Sequence, residues 1–137
     1  MAAAPAYLLD TNIARFIIRG GSTHLMSRLQ GQPVSAMGIS AITEAELLYG
    51  LARKPGAAVL TAAVTAFLRH VQAMPWDSEA EASYGALRAA LEAAGTPLAG
   101  MDTLIAAHAL AIGATLVTND QAFRHVRGLT VEDWTLA

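Results

Sequence analysis

The chain has 137 residues, 54% apolar and only 15% charged, with nine Lys and Arg against 11 Asp and Glu. A chain of this length forms one domain, spanning 1–137, that buries roughly 68–70% of the surface its unfolded form exposes, so its core needs no staples. The lack of cysteine excludes disulfides and thiolate metal sites, and a net charge of −2 argues against a broad basic surface holding nucleic acid by counterion release alone.

Met1 to Asp10 carries neither a positive segment nor a long apolar stretch, so no secretory signal is expected and the expected location is cytoplasmic. Ala6-Tyr7-Leu8-Leu9 reads as a buried strand running into Asp10-Thr11-Asn12, a polar triplet suited to capping a helix. Ile13, Phe16 and Ile17 then recur at helical spacing until Gly20-Gly21. Leu25 to Leu29 suits a short helix, and Pro33 to Ile39 a second strand. The segment from Ser40 to Arg53 or Lys54 is helical and Pro55-Gly56 ends it; Ala57 to His70 is a strongly apolar helix. Val71 to Trp76 is extended, and Ser78 caps a helix over Glu79 to Ala94 that Gly95 closes.

Asp102 to Ile112 is a further helix, Ala114 to Thr118 a strand, Phe123 marks a helical turn, and Leu129 to Trp134 reads as an edge strand. The longest uncharged run, Thr103 to Asn119, falls short of the roughly 20 apolar residues a spanning helix needs, so no membrane association is expected. Alternating strands and helices predict an α/β fold: a mostly parallel sheet of four to five short strands, covered by helices on both faces.

Five Asp occur, and three of them, Asp10, Asp102 and Asp120, lie where a strand gives way to a helix or where a helix starts. In open α/β sheets ligands bind outside the carboxyl ends of the strands, so Asp10 and Asp120 face one crevice if their strands are neighbours. Asp102 and one of Glu44 or Glu46 can point into it. Several carboxylates in one crevice repel one another unless a cation neutralises them, and oxygen-only ligands select Mg²⁺ or Mn²⁺. One or two such ions orient a water in line with a phosphodiester and stabilise the leaving oxygen. Each acid also has a structural reading. Asp10 can simply cap a helix, Thr43-x-x-Glu46 matches a capping box that favours a structural role for Glu46, Asp102 complements a helix dipole, and Asn119-Asp120 is common turn chemistry.

The joint placement resembles the VapC toxins of the PIN-domain ribonucleases over nearly the whole length. Tyr7-Leu8-Leu9-Asp10-Thr11-Asn12 is similar to that family's opening strand and first acid. Ile39 to Gly50 resembles its second motif, in which the Glu directly before Leu is the ligand; this assigns Glu46 and sets Glu44 aside. Gly95-Thr96-Pro97 followed by Asp102 to Ala109 resembles the third motif. Leu116-Val117-Thr118-Asn119-Asp120 with Phe123 resembles the fourth, and Leu129 to Trp134 the closing strand.

The resemblance implies a PIN-like three-layer fold and an endoribonuclease in which Asp10, Glu46, Asp102 and Asp120 hold Mg²⁺ or Mn²⁺, Asp120 acting directly or through water. It also implies a homodimer and a VapB-type antitoxin that covers the active site and alone carries the pair to operator DNA. Transfer RNA, cut in the anticodon region, is the leading substrate class on this resemblance.

Thr11 and Thr118 flank two acids and can orient a carboxylate or end a strand; Asn119 can reach substrate or satisfy a turn. Arg15 and Arg19 can bind phosphate or an antitoxin carboxylate, or remain solvated surface. His108, six residues after Asp102, reads as packed rather than ligating, and Tyr49, Trp76 and Trp134 as core or interface.

Two other classes compete with the nuclease. One is a PIN-like module that binds RNA or protein without cutting, which has little reason to keep four repelling acids. The other is a phosphatase or phosphoacceptor, which lacks its Asp-x-Asp pair here and has only Lys54 for a late-strand lysine. With the four acids neutralised, nine basic groups face seven acidic ones, so RNA binding should be modest and local.

Overall fold

A computed structural model describes residues 4–136; the ends of the expected 1–137 domain lie outside the described residues. In chain order the elements are β1 (Tyr7–Leu9), α1 (Thr11–Ile18), α2 (Thr23–Gln30), β2 (Met37–Ser40), α3 (Ala41–Ala52), α4 (Ala58–Leu68), β3 (Gln72–Met74), α5 (Ser78–Ala93), α6 (Gly100–Ile112), β4 (Thr115–Val117) and β5 (Val131–Glu132). The strands form one sheet in the order β3-β2-β1-β4-β5, and every pairing is parallel.

Because both faces of such a sheet are covered, strand residues alternate between two cores rather than between core and water. Leu8 and Leu116 face a cluster built with α5 and α6, including Leu87, Leu91 and Ile105. Leu9, Ile39 and Val117 face the opposite cluster, built from α1 to α4 with Ile13, Leu47, Val64 and Phe67. The three-layer arrangement follows directly. Trp134 closes the second core with no exposure: its ring packs edge-on to Tyr7 at 4.9 Å, and its Nε1–H donates to Glu132 Oε1 at 2.9 Å.

Local chemistry sets the boundaries and corrects several expectations. Pro33 does not begin β2. Val34–Ala36 winds as a 3₁₀ turn that Pro33 precedes in extended geometry, and the strand starts only at Met37. The cap of α5 is Asp77 rather than Ser78, since its Oδ1 accepts from Ala80 N–H at 3.0 Å and Ser78 is already helical. α1 begins at Thr11 because Asp10 caps it. The closing strand is only Val131–Glu132, at the sheet edge as expected. Gly113 ends α6 at φ +69°, a left-handed position that favours glycine. No helix among the described residues is long and apolar enough to cross a membrane.

Candidate active site

The chain runs from β1 outward through β2 to β3, then returns to the other side of β1 for β4 and β5. β1 and β4 therefore flank the switch point, where open α/β sheets bind ligands. Their register pairs Leu9 with Val117, so Asp10 and Thr118 emerge side by side at the carboxyl edge, and Asp10 N–H still donates to Val117 C=O at 3.0 Å. Asp102, in the first turn of α6, and Asp120, just past β4, complete an acidic group around them.

Asp10 is 4% exposed and does two things at once. Its Oδ1 accepts from Ile13 N–H at 2.7 Å, capping α1, while its Oδ2 accepts a very short hydrogen bond from the Thr118 hydroxyl. The same hydroxyl oxygen accepts from Asp120 N–H at 3.1 Å, and Asp120 Oδ1 accepts from Ala122 N–H at 2.9 Å. Thr118 thus ties two acids together. Burial pushes the Asp10 carboxyl up to about 6; the hydrogen bonds from Thr118 and Ile13 pull against this, and the charges of Asp102 and Asp120 add to it. Burial and the Asp120 charge also raise Asp102.

Capping and catalysis are therefore not alternatives for Asp10. A cap needs one carboxylate oxygen, and the other is held by the Thr118 hydroxyl.

Glu46 behaves differently. The capping-box reading fails because Ser40, not Thr43, caps α3, its Oγ accepting from Ile42 N–H at 3.0 Å. Glu46 Oε2 instead lies 3.5 Å from Arg15 Nη2, so Arg15 is an ion-pair partner rather than a free surface cation. Thr11 orients no carboxylate: its hydroxyl pairs with the buried Thr43 hydroxyl at 2.9 Å, fixing α1 against α3. Asn119 is exposed beside Asp120, and Arg19 is exposed at the end of α1.

Sequence reasoning missed the support for these helices. The fully buried Ser40 hydroxyl meets His108 Nδ1 at 2.7 Å, and the His108 ring stands edge-on to Trp76 at 5.3 Å. Burial lowers the His108 pKa, against opposing effects of Asp77 and a backbone hydrogen bond to Pro75, and favours the neutral ring. His108 is the packed residue the sequence suggests, but it also joins α6, which carries Asp102, to the cap of α3, which carries Glu46. Only the helical phase of His108 could have hinted at this, since Ser40 lies 68 residues away.

The donor set is all carboxylate oxygen, and Asp10 and Asp102 are raised chiefly by burial and secondarily by neighbouring acid charge, both of which a divalent cation would offset. Chemically the acids fit Mg²⁺ or Mn²⁺. Among the described residues, however, no three His, Asp or Glu side chains stand together at ligating spacing, and Glu46 is turned to Arg15.

Residues 7–129 match the family model described as PIN domain. The chain is 34% identical over 129 residues to the tRNA(fMet)-specific endonuclease VapC of Salmonella typhimurium, covering 93% of this chain and 97% of that one. It is 32% identical to ribonuclease VapC2 of Rickettsia felis, over 93% and 97% of the two chains. Among solved structures, DNA-bound VapBC from Salmonella typhimurium superimposes with a TM-score of 0.88 at 34% identity, over 95% of this chain and 98% of that one. VapBC2 from Rickettsia felis, bound to a promoter DNA fragment, gives 0.85 at 31% identity, over 92% and 96%.

Proposed function

The chain belongs to the PIN-domain family, among its VapC proteins, and from that premise we propose that it is the toxin of a toxin–antitoxin pair, an endoribonuclease acting on RNA in the cytoplasm. The observation that carries this reading is the buried Asp10 carboxyl, raised to about 6, beside Asp102 and Asp120 at the switch point of the sheet. A structural cap alone would not gather three acids there.

Asp10, Asp102 and Asp120 are the residues that would hold Mg²⁺ or Mn²⁺, as one or two ions, with Glu46 joining when it leaves Arg15. When bound, the metal supplies positive charge that acidifies a water and stabilises the leaving oxygen of a cleaved phosphodiester. The chain's own side chains do the rest. Thr118 fixes the free oxygen of Asp10 and the backbone of Asp120, His108 and Ser40 hold α6 against α3, and Asn119 stands exposed at the rim for substrate.

Transfer RNA is the proposed substrate class, supported by the name of the Salmonella relative. A VapB-type antitoxin covering the site, a homodimer, and operator DNA reached only through the antitoxin complete the proposal, supported by the VapBC complexes, two of them DNA-bound, that this fold superimposes on. A silent PIN-like binding module draws support from one observation, the engagement of Glu46 by Arg15. Metal binding seen by calorimetry without cleavage of total RNA would favour that module.

Brief expression in cells followed by sequencing of RNA 5′ ends tests the nuclease. It should yield new ends at discrete positions, in tRNA, that vanish with Asp10→Asn. Identical end profiles for the two proteins would overturn it.

A further inference from the structure

The pocket between α1, α3 and α4 is unlike the rest of the surface. Its volume is about 380 Å³, and Arg15, Arg19, Arg53 and Lys54 line it above an apolar floor that includes Leu51 and Val64. Four of the nine cations of an acidic chain thus meet in one place. Arg15 is held by Glu46, while Arg19, Arg53 and Lys54 are exposed and have no carboxylate partner among the described residues. Glu46 belongs to the wall of the same pocket, so the cationic surface is continuous with one of the proposed catalytic acids.

Beside it on α3, one turn beyond Glu46, Tyr49 is 57% exposed rather than packed in a core, and the Arg53 guanidinium lies 5.6 Å from its ring. A flat aromatic face backed by a guanidinium is a surface on which a base stacks, with the cation adding to the stacking.

We infer that this pocket and the Tyr49–Arg53 pair form the track on which a single-stranded segment of the RNA substrate lies next to the scissile phosphate. Arg19, Arg53 and Lys54 take its phosphates and Tyr49 takes one unpaired base. The inference rests on the nuclease reading and adds the part of the RNA that is gripped. Charge complementarity favours RNA, because each nucleotide presents an anion and a flat apolar face together, which is the pairing this surface offers. It also accounts for how a protein of net negative charge holds a polyanion: locally, through about three phosphate contacts, instead of over a broad basic face.

The test is binding of a fluorescein-labelled 12-nucleotide single-stranded RNA to full-length protein carrying Asp102→Asn to prevent cutting, titrated over a range of salt. Arg19→Ala/Arg53→Ala/Lys54→Ala should weaken binding at least tenfold and flatten the slope of log affinity against log salt by about 2, at ~0.7 per contact on a single strand. Tyr49→Ala should weaken binding with little change in slope, and Tyr49→Phe should restore it. In protein with intact acids the triple variant should raise KM and leave kcat in place, while Arg69→Ala/Arg127→Ala, away from the pocket, should change neither.

Equal affinity and slope for the triple variant and the control would overturn the inference. So would loss of binding to a synthetic antitoxin C-terminal peptide with RNA binding unchanged, which would give the pocket to the antitoxin. RNA binding that depends on the pocket in a protein that cuts nothing would sustain the inference and remove the nuclease reading instead.

Discussion

At the scale of single residues, the informative acid is the one with two roles. Asp10 was legible as a cap from Asp-Thr-Asn after a strand and as a candidate ligand from its motif, but nothing in the sequence could show that one carboxylate serves both ends. That depends on Thr118, 108 positions away, delivering its hydroxyl to the second oxygen. Glu46 was legible only through its motif; spacing alone pointed to a capping box, and Ser40 took that place because its hydroxyl already reaches Ile42 N–H.

The burial of Asp10 has a thermodynamic signature. Its carboxyl ionises near 3.8 when unfolded and about 6 when folded. Between those values the native state binds more protons, so this group's contribution to stability falls as pH rises, and the whole cost is present above about 6. Asp10→Asn keeps a capping oxygen and removes the charge. In metal-free buffer at pH 7.5 it should be more stable than the parent by about 1–3 kcal/mol in urea unfolding, even as cleavage disappears. Added Mg²⁺ should raise the melting temperature of the parent and not of the variant. A variant less stable than its parent at pH 7.5 would contradict the account of Asp10.

At the scale of elements, strand and helix order follow from apolar runs and glycine punctuation, and most elements were legible to within a few residues. The exceptions have local causes: the Pro33 turn shortens β2, and the Asp77 side chain outcompetes Ser78 at the start of α5. The bracing between elements was not legible, because hydrogen bonds such as Ser40 to His108 and Thr11 to Thr43 join segments distant in sequence.

His108→Ala should lower stability by about 2–3 kcal/mol, through a cavity and the loss of the buried Ser40–His108 hydrogen bond. The pH dependence separates this brace from Asp10. Because the folded pKa of His108 is lowered, the unfolded state takes up its proton first, and the contribution of His108 is lost as pH falls below about 6.5. In the Asp10→Asn/Asp102→Asn protein, where both raised carboxyls are removed, stability should drop on acidification through that window. Adding His108→Gln should abolish the drop, and a persistent drop would show that another group carries it.

At the scale of the whole molecule, a parallel sheet with its switch point beside β1 brings chain segments more than 100 residues apart to one edge. The acids gather there, while three of the six Lys and Arg side chains without an ion pair among the described residues collect at the ends of the adjoining helices α1 and α3. This separation fits the expectation, drawn from the net charge, that RNA binding would be modest and local. Bulk acidity reflects residues spread over the surface, whereas the proposed site needs only a few acids and a few cations in the right places.

The most direct measurement is the cleavage of purified tRNA by the purified, antitoxin-free protein and by its Asp10→Asn variant, each with Mg²⁺ and with EDTA. Discrete fragments are expected only from the unsubstituted protein with Mg²⁺, at a rate at least a hundredfold above the other three conditions, a gap of about 2.7 kcal/mol in barrier. Cleavage by Asp10→Asn at the parent rate, or undiminished cleavage in EDTA, would contradict this expectation.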